Sequence, residues 1–275
     1  MMPFQIGILT PSYNRPDLLK RCIESVLAQD YSYWRLYVVD DCSTVDLEQF
    51  QQDYPDPRIR FTRMAQNAGV NRVRNTALDM AQHDQCDAIF LLDDDDYLPE
   101  QALSRVMQVV GTHPQAHWLV LNVTGHQREL AANTYIQQTF EFDYIADYLM
   151  GKKIRGDKSH LIHMQAIGDL RFSTQVRQGD EWTFFLALAK HQRCLACPDI
   201  VKIVDYQDQG LSAQLAKKHY SFPKIWLDTQ KPFLCWFYRP LLRRAATRSL
   251  QSVLRFPTRV LRLWLQQLKL LAQRS

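Results

Sequence analysis

Residues 88–100 read AIFLLDDDDYLPE, an apolar run that ends in four consecutive aspartates, Asp93 to Asp96. Adjacent like charges repel, and clustered carboxylates are tolerated where something positive lies among them. Hard divalent cations such as Mn2+ or Mg2+ take oxygen ligands, commonly one or two carboxylates together with substrate phosphates. In extended chain, successive side chains alternate, so Asp93 and Asp95 point to one side and Asp94 and Asp96 to the other. An Asp-x-Asp at a strand end then aims two carboxylates at one metal–diphosphate. The competing reading is a solvated acidic loop, but such loops usually follow polar sequence rather than AIFLL.

Three further groups could do chemistry. Asp40 and Asp41 end a second apolar run, LYVVDD. An aspartate there accepts from a nucleobase N–H or a ribose hydroxyl, or else caps a helix together with Ser43 and Thr44. Arg72 and Arg74 lie in NAGVNRVRNTAL. Their planar donor forks suit phosphate or base, although taken alone they read first as surface arginines on a helix. Asp180 and Glu181 open GDEWTFFLALAKH. They supply a general base or simply complement the dipole at a helix start. Trp182 beside them stacks on a sugar face or fills core.

The elements that must position these groups follow from periodicity. Strands are read at 4–10, 34–39, 58–63, 87–92 and 117–123, and helices at 16–28, 70–82 and 101–110, with a polar helix near 45–52. Strand and helix alternating in this way predict an α/β layer structure with a largely parallel sheet. Ligands of such sheets bind beyond the carboxyl ends of the strands, which is where TPSYNR, DDCST and DDDD fall. After residue 124 the pattern loosens. Residues 139–150 read as a short amphipathic helix, 159–164 as a strand and 179–191 as a helix, and 124–228 builds the second half of a cleft.

The chain has 275 residues, 46% hydrophobic and 23% charged, enough for one large domain or one domain plus an appendage. No apolar stretch approaches the roughly 20 residues of a membrane span, and the N-terminus has no basic region of a signal peptide. A cytoplasmic location is therefore expected. Six cysteines include one CxxC, Cys194 and Cys197, without a second pair to complete a zinc site. Reduced, mostly buried thiols are expected. Residues 229–275 hold ten Lys/Arg and no acid, so the net charge of +4 divides into a body of −6 and a tail of +10. The tail interleaves Leu, Val and Trp with Arg and is broken at Pro257. It reads as two basic amphipathic helices for an anionic membrane surface, or as helices packed on protein. No base-reading motif accompanies the charge, so nucleic acid is not an expected partner.

In order along the chain, TPSYNRPDLLKRCIESVLAQ, LYVVDDCST, NAGVNRVRNTAL, FLLDDDDYLP and GDEWTFFLALA resemble the family 2 glycosyltransferases of the GT-A fold, over about residues 4–212. Each motif alone is weak; five in this order and spacing are strong. The resemblance implies that Pro11 and Tyr13 line the nucleotide base, that Asp41 bonds it, and that Arg74 contacts the nucleotide. Asp93 and Asp95 match the Asp-x-Asp that holds ribose and metal–diphosphate, Asp95 being the more direct ligand, with Asp94 among the nucleotide-sugar contacts. Asp180-Glu181-Trp182 matches the family's usual Glu-Asp-Trp, whose second acid is the base. The two acids are swapped in kind here, so position points to Glu181 and side-chain length to Asp180; Trp182 would meet the acceptor. Relatives often carry a His near the metal where this chain reads VDYQDQGLS; Asp208 or a water would take its place.

By this resemblance, residues 1–228 form a GT-A domain, with its nucleotide-binding half at about 1–123 and its acceptor-side half at about 124–228. Residues 229–275 form a basic amphipathic helical extension. The implied activity is inverting, Mn2+- or Mg2+-dependent transfer from a nucleotide-diphosphate sugar, a UDP-sugar foremost. The acceptor would be a glycan or lipid-linked glycan of the cell surface (lipopolysaccharide, capsule or exopolysaccharide). The enzyme would sit peripherally on the inner face of the cytoplasmic membrane, held through 239–275. Two rivals stand beside this reading. A nucleotidyltransferase would carry a Gly-rich phosphate loop after the first strand, and TPSYNR has no glycine. A non-catalytic nucleotide-sugar-binding protein is compatible with the altered acid pair.

Overall fold

The computed structural model describes residues 3–44, 48–127, 130, 133–149, 153–174 and 181–207. Asp180, Asp208, Cys235 and the basic tail lie outside the described residues. The elements are β1 (Ile6–Ser12), α1 (Pro16–Leu27), β2 (Trp34–Asp40), α2 (Glu48–Asp53), β3 (Ile59–Arg63), α3 (Val70–His83), β4 (Ala88–Leu91) and α4 (Ala102–Thr112). They continue with β5 (Trp118–Gly125), β6 (Phe140–Phe142), a π-helical turn (Tyr144–Leu149), β7 (Lys158–His163), α5 (Met164–Ile167), α6 (Glu181–Leu188) and β8 (Cys194–Val204).

The helices α1 and α3 form where apolar residues recur at helical spacing. In α1, Pro16 opens the first turn, where its missing N–H costs nothing, and Leu19, Cys22, Ile23 and Val26 form the buried stripe. In α3, Val73, Ala77, Leu78 and Ala81 are buried, and so are the polar Asn71 and Arg74. Gly7 lets α3 come close to β1, since a Cβ there would stand 3.0 Å from that of Ala81.

The eight strands form one sheet in the order β3-β2-β1-β4-β7-β5-β8-β6. β3, β2, β1 and β4 run parallel. β7 enters antiparallel to both β4 and β5, β8 pairs parallel with β5, and β6 pairs antiparallel with β8. Strand side chains alternate between two cores. Ile6, Ile8, Leu36 and Val38 pack with α1 and α4, whereas Leu9, Tyr37 and Val39 pack with α3 and α6. Burying each such aliphatic side chain contributes roughly 1.5–3 kcal/mol.

Two segments differ from the expectation. Residues 139–150 are not one helix: Phe140–Phe142 pairs with β8 as an edge strand, and a π-helical turn follows. β8 itself is absent from the sequence reading because Pro198 and Asp199 interrupt its apolar run. The sheet absorbs them as an irregularity: Leu121 faces Cys197, and Asn122 next faces Ile200. Asn122 Nδ2 donates to the Pro198 carbonyl at 2.8 Å and so secures the bulge. The described cysteines are unpaired thiols, buried except for the half-buried Cys42. Among the described residues, no helix is long and apolar enough to cross a membrane.

Candidate active site

The parallel registers Ser12 to Asp40 and Leu9 to Leu91 bring the carboxyl ends of β1, β2 and β4 to one edge. This unites the three polar segments that the sequence placed there. Leu92 still donates to the Leu9 carbonyl at 3.1 Å, and the chain then turns, with the Asp96 N–H on the Asp93 carbonyl at 3.0 Å. The turn overrides the alternation expected for extended chain. Carboxylate oxygens of Asp93, Asp95 and Asp96 lie within 4.8 Å of one another, so Asp96 joins Asp93 and Asp95 instead of pointing away. Asp94 faces the β1–α1 loop, where it accepts from Arg15 Nη1 at 3.1 Å and lies 3.4 Å from the Tyr13 N–H.

The turn is charge-balanced from several directions. Arg74 donates to both Asp93 oxygens at 2.7 and 3.0 Å. Arg15 also reaches Asp95 at 2.7 Å, and Lys202 of β8 pairs with Asp96 at 2.8 Å. Arg21 of α1 donates to the Asp95 carbonyl at 2.6 Å and to Asp205 at 2.7 Å, and it lies over the Tyr97 ring. The acids respond differently. Burial pushes Asp95 up to about 7, and Asp93 and Asp96 add repulsion that Arg15 only partly offsets. Burial raises Asp94 to about 6 against the pull of Arg15. Burial acts on Asp93 too, but Arg74 and Lys202 outweigh it and hold that carboxyl below its usual range. The set fits a hard divalent cation. Its donors are all carboxylate oxygens. Each of the three has a cationic partner, and the Asp93 and Asp95 side chains, 39% and 20% exposed, are more open than that of Asp96 at 7%.

Arg74 also donates to Glu181 at 3.1 Å, so the guanidinium of this buried residue joins the aspartate turn to the first residue of α6. The α3 face positions this junction. Asn75 exchanges two hydrogen bonds with the backbone of Phe172, and Asn71 donates to the Ser173 carbonyl. Phe172 stacks on Phe184 of α6 with ring centroids 4.2 Å apart. Trp182 is half-buried beside Glu181.

The nucleotide side is built by β1 and β2. Pro11 is buried within β1, and Tyr13 just beyond it is 46% exposed. Asp41 is buried, and its carboxylate accepts the Ala68 and Gly69 N–H groups at 2.6 and 2.8 Å. Gly69, with φ of 90°, can present its N–H there at the entry to α3. Asp40 instead organises the following turn through the Ser43 N–H and hydroxyl. Both members of the acidic pair therefore serve local structure.

Sequence reasoning missed Arg15, Arg21, Lys202 and Asp205. Arg15 and Arg21 stood inside the first motif, and their cationic charge beside a predicted acidic edge was the available signal. Asn71 and Asn75 were missed as well, although Asn71, three residues before Arg74, shares its helix face. Lys202 and Asp205 had no signal, because β8 itself was hidden.

Residues 7–168 match the family described as Glycosyl transferase family 2, and the chain belongs to that family. It is 34% identical over 107 residues to the GalNAc(5)-diNAcBac-PP-undecaprenol beta-1,3-glucosyltransferase of Campylobacter jejuni, covering 38% of this chain and 34% of that one. It is 35% identical over 81 residues to the UDP-Glc:alpha-D-GlcNAc-diphosphoundecaprenol beta-1,3-glucosyltransferase WfgD of Escherichia coli, covering 30% and 32%. Among solved structures, S. aureus TarS 1-349 in complex with UDP-GlcNAc matches with a TM-score of 0.68 at 17% identity, over 90% of this chain and 67% of that one, and so shares the fold. The chain spans less than two thirds of the length of the curated relatives it matches. Family membership favours glycosyl transfer over the nucleotidyl transfer weighed above.

Proposed function

We propose that the chain is an inverting glycosyltransferase that moves a sugar from a UDP-sugar to a hydroxyl of a cell-surface glycan or lipid-linked glycan. The observation that carries this reading is the junction at Arg74, which draws Asp93 of the aspartate turn and Glu181 of α6 onto one guanidinium. A donor's diphosphate end and an acceptor's nucleophile would thereby be brought to the same few ångströms. The names of the Campylobacter jejuni and Escherichia coli relatives support the lipid-linked acceptor, and that of the latter the UDP-sugar.

In this reading Pro11, Tyr13 and Asp41 flank the base, while Asp93 and Asp94 approach the ribose and diphosphate. Asp95 and Asp93 hold Mn2+ or Mg2+, which when bound offsets the charge that builds on the leaving nucleotide diphosphate. Glu181 takes the proton of the acceptor hydroxyl as that oxygen attacks the anomeric carbon from the face opposite the diphosphate. Trp182 offers its ring to the acceptor sugar. Residues 1–228 act as the catalytic domain. The basic residues of 239–275 hold the protein to the cytoplasmic face of an anionic membrane, where a lipid-linked acceptor is found.

Transfer and donor binding measured side by side on Glu181→Gln and Asp180→Asn test the reading. Glu181→Gln is expected to bind UDP-sugar like the wild type and to lose transfer, by about a hundredfold or more for a missing general base. Near wild-type transfer by Glu181→Gln, with loss in Asp180→Asn, would move the base to Asp180.

A further inference from the structure

Among the described residues, the three cations paired with carboxylates of the aspartate turn differ in their freedom to move. Arg74 has a side chain only 6% exposed and a second partner in Glu181. Lys202 is 13% exposed on β8. Arg15 is 25% exposed, on the residue that precedes α1, and a single nitrogen, Nη1, makes both its contacts, to Asp95 at 2.7 Å and Asp94 at 3.1 Å. One nitrogen shared between two carboxylates leaves the rest of the fork uncommitted to these acids. Asp95 is also the carboxylate assigned above to the divalent ion. A guanidinium hydrogen-bonded to that oxygen set and a doubly charged ion on the same carboxylate repel each other at close range, so the two compete.

We propose that Arg15 is a ligand of the donor's diphosphate, and that it reaches this role by exchange. With no donor bound, its guanidinium holds Asp95. When the metal–nucleotide enters, the ion takes Asp95 and the fork transfers to phosphate oxygens, a geometry that guanidinium matches well. The inference rests on the donor and metal reading above. Its consequence is thermodynamic: Arg15 lowers the affinity for the ion alone, and nucleotide diphosphate restores it, so ion and nucleotide bind cooperatively.

Mn2+ binding to the full-length protein, read from the electron paramagnetic resonance signal of free Mn2+, tests this with and without UDP. Arg15→Gln is expected to bind Mn2+ alone about tenfold tighter than wild type, and the factor by which UDP improves Mn2+ affinity is expected to fall about tenfold. A positive charge that merely stood near the site would weaken Mn2+ equally with and without UDP. An unchanged UDP factor in Arg15→Gln, or unchanged or weaker Mn2+ binding without UDP, therefore overturns the proposal. Arg15→Lys keeps the charge and loses the fork. It carries the test if the glutamine variant does not fold, with a reduced UDP factor expected and an unreduced one refuting. Wild-type protein that binds no Mn2+, or shows no UDP effect on it, would instead remove the metal–donor reading itself.

Discussion

Replacing Arg74 by Met keeps most of the side-chain bulk on α3 and deletes the guanidinium. Three charge-assisted bonds are lost, two to Asp93 at 2.7 and 3.0 Å and one to Glu181 at 3.1 Å. A hydrogen bond to a charged group is worth about 1.5–3 kcal/mol. Asp93 and Glu181 side chains are 39% and 44% exposed, so water re-solvates the stranded carboxylates and each bond must be discounted. About 1 kcal/mol per bond gives a loss near 3 kcal/mol, which in a domain of this size lowers the melting temperature by about 6–12 °C. Because two of the three bonds end on Asp93, saturating Mn2+ with UDP is expected to recover more stability in the variant than in the wild type. Urea titrations of Arg74→Met, Glu181→Gln and the double variant separate the terms. The double variant is expected to fall short of the sum by about 1 kcal/mol, as for residues in direct contact. A loss below about 1 kcal/mol for Arg74→Met, or strict additivity with Glu181→Gln, would refute the idea that this guanidinium ties the aspartate turn to α6.

Three other outcomes are expected. His160 Nδ1 accepts the Trp118 indole N–H at 3.1 Å, which requires a neutral ring, and burial followed by Lys202 and Lys158 depresses its pKa to about 3. The folded value lies below the ordinary 6.5, so its contribution is complete above pH 6.5 and is lost as pH falls toward 3. Acidification from pH 6.5 to 5 should cost the wild type about 2 kcal/mol more than His160→Gln, and equal losses in urea titrations at the two pH values would contradict this. Cys42 holds a left-handed φ of 62°, so Cys42→Gly should melt higher than Cys42→Ala, with about 1 kcal/mol between them; coincident melting curves would show that the backbone is unstrained there. Deleting 239–275 should release the protein from anionic liposomes in a flotation assay, and a full-length chain that never floats would end the membrane assignment.

How far the sequence could be read depends on the range over which each feature is encoded. Strands that end in LYVVDD and FLLDDDD were legible because burial and charge change within two residues, and parallel pairing then had to bring those ends to one edge. The Asp93/Asp95 pairing was half legible. Alternation holds only while the chain stays extended, and the turn closed by the Asp96 N–H carried Asp96 round to the same side. The pairs Arg15–Asp94 and Arg21–Asp205 join residues 79 and 184 apart in the chain, and no local periodicity records such distances. β8 escaped because Pro198 and Asp199 disguise a buried strand, and Lys202 escaped with it.

The bond between Tyr97 and Ile203, made in both directions at 3.1 and 2.8 Å, and the grip of Arg21 on both Asp95 and Asp205 have a consequence for engineering. The aspartate turn belongs as much to β8 and the residue that follows it as to β4, which leads into it. Chimeras that take residues 1–123 from one family member and the remainder from another would import a mismatched clasp unless positions 21, 97, 203 and 205 travel together. Exchanging either part alone would therefore break a clasp that both parts share.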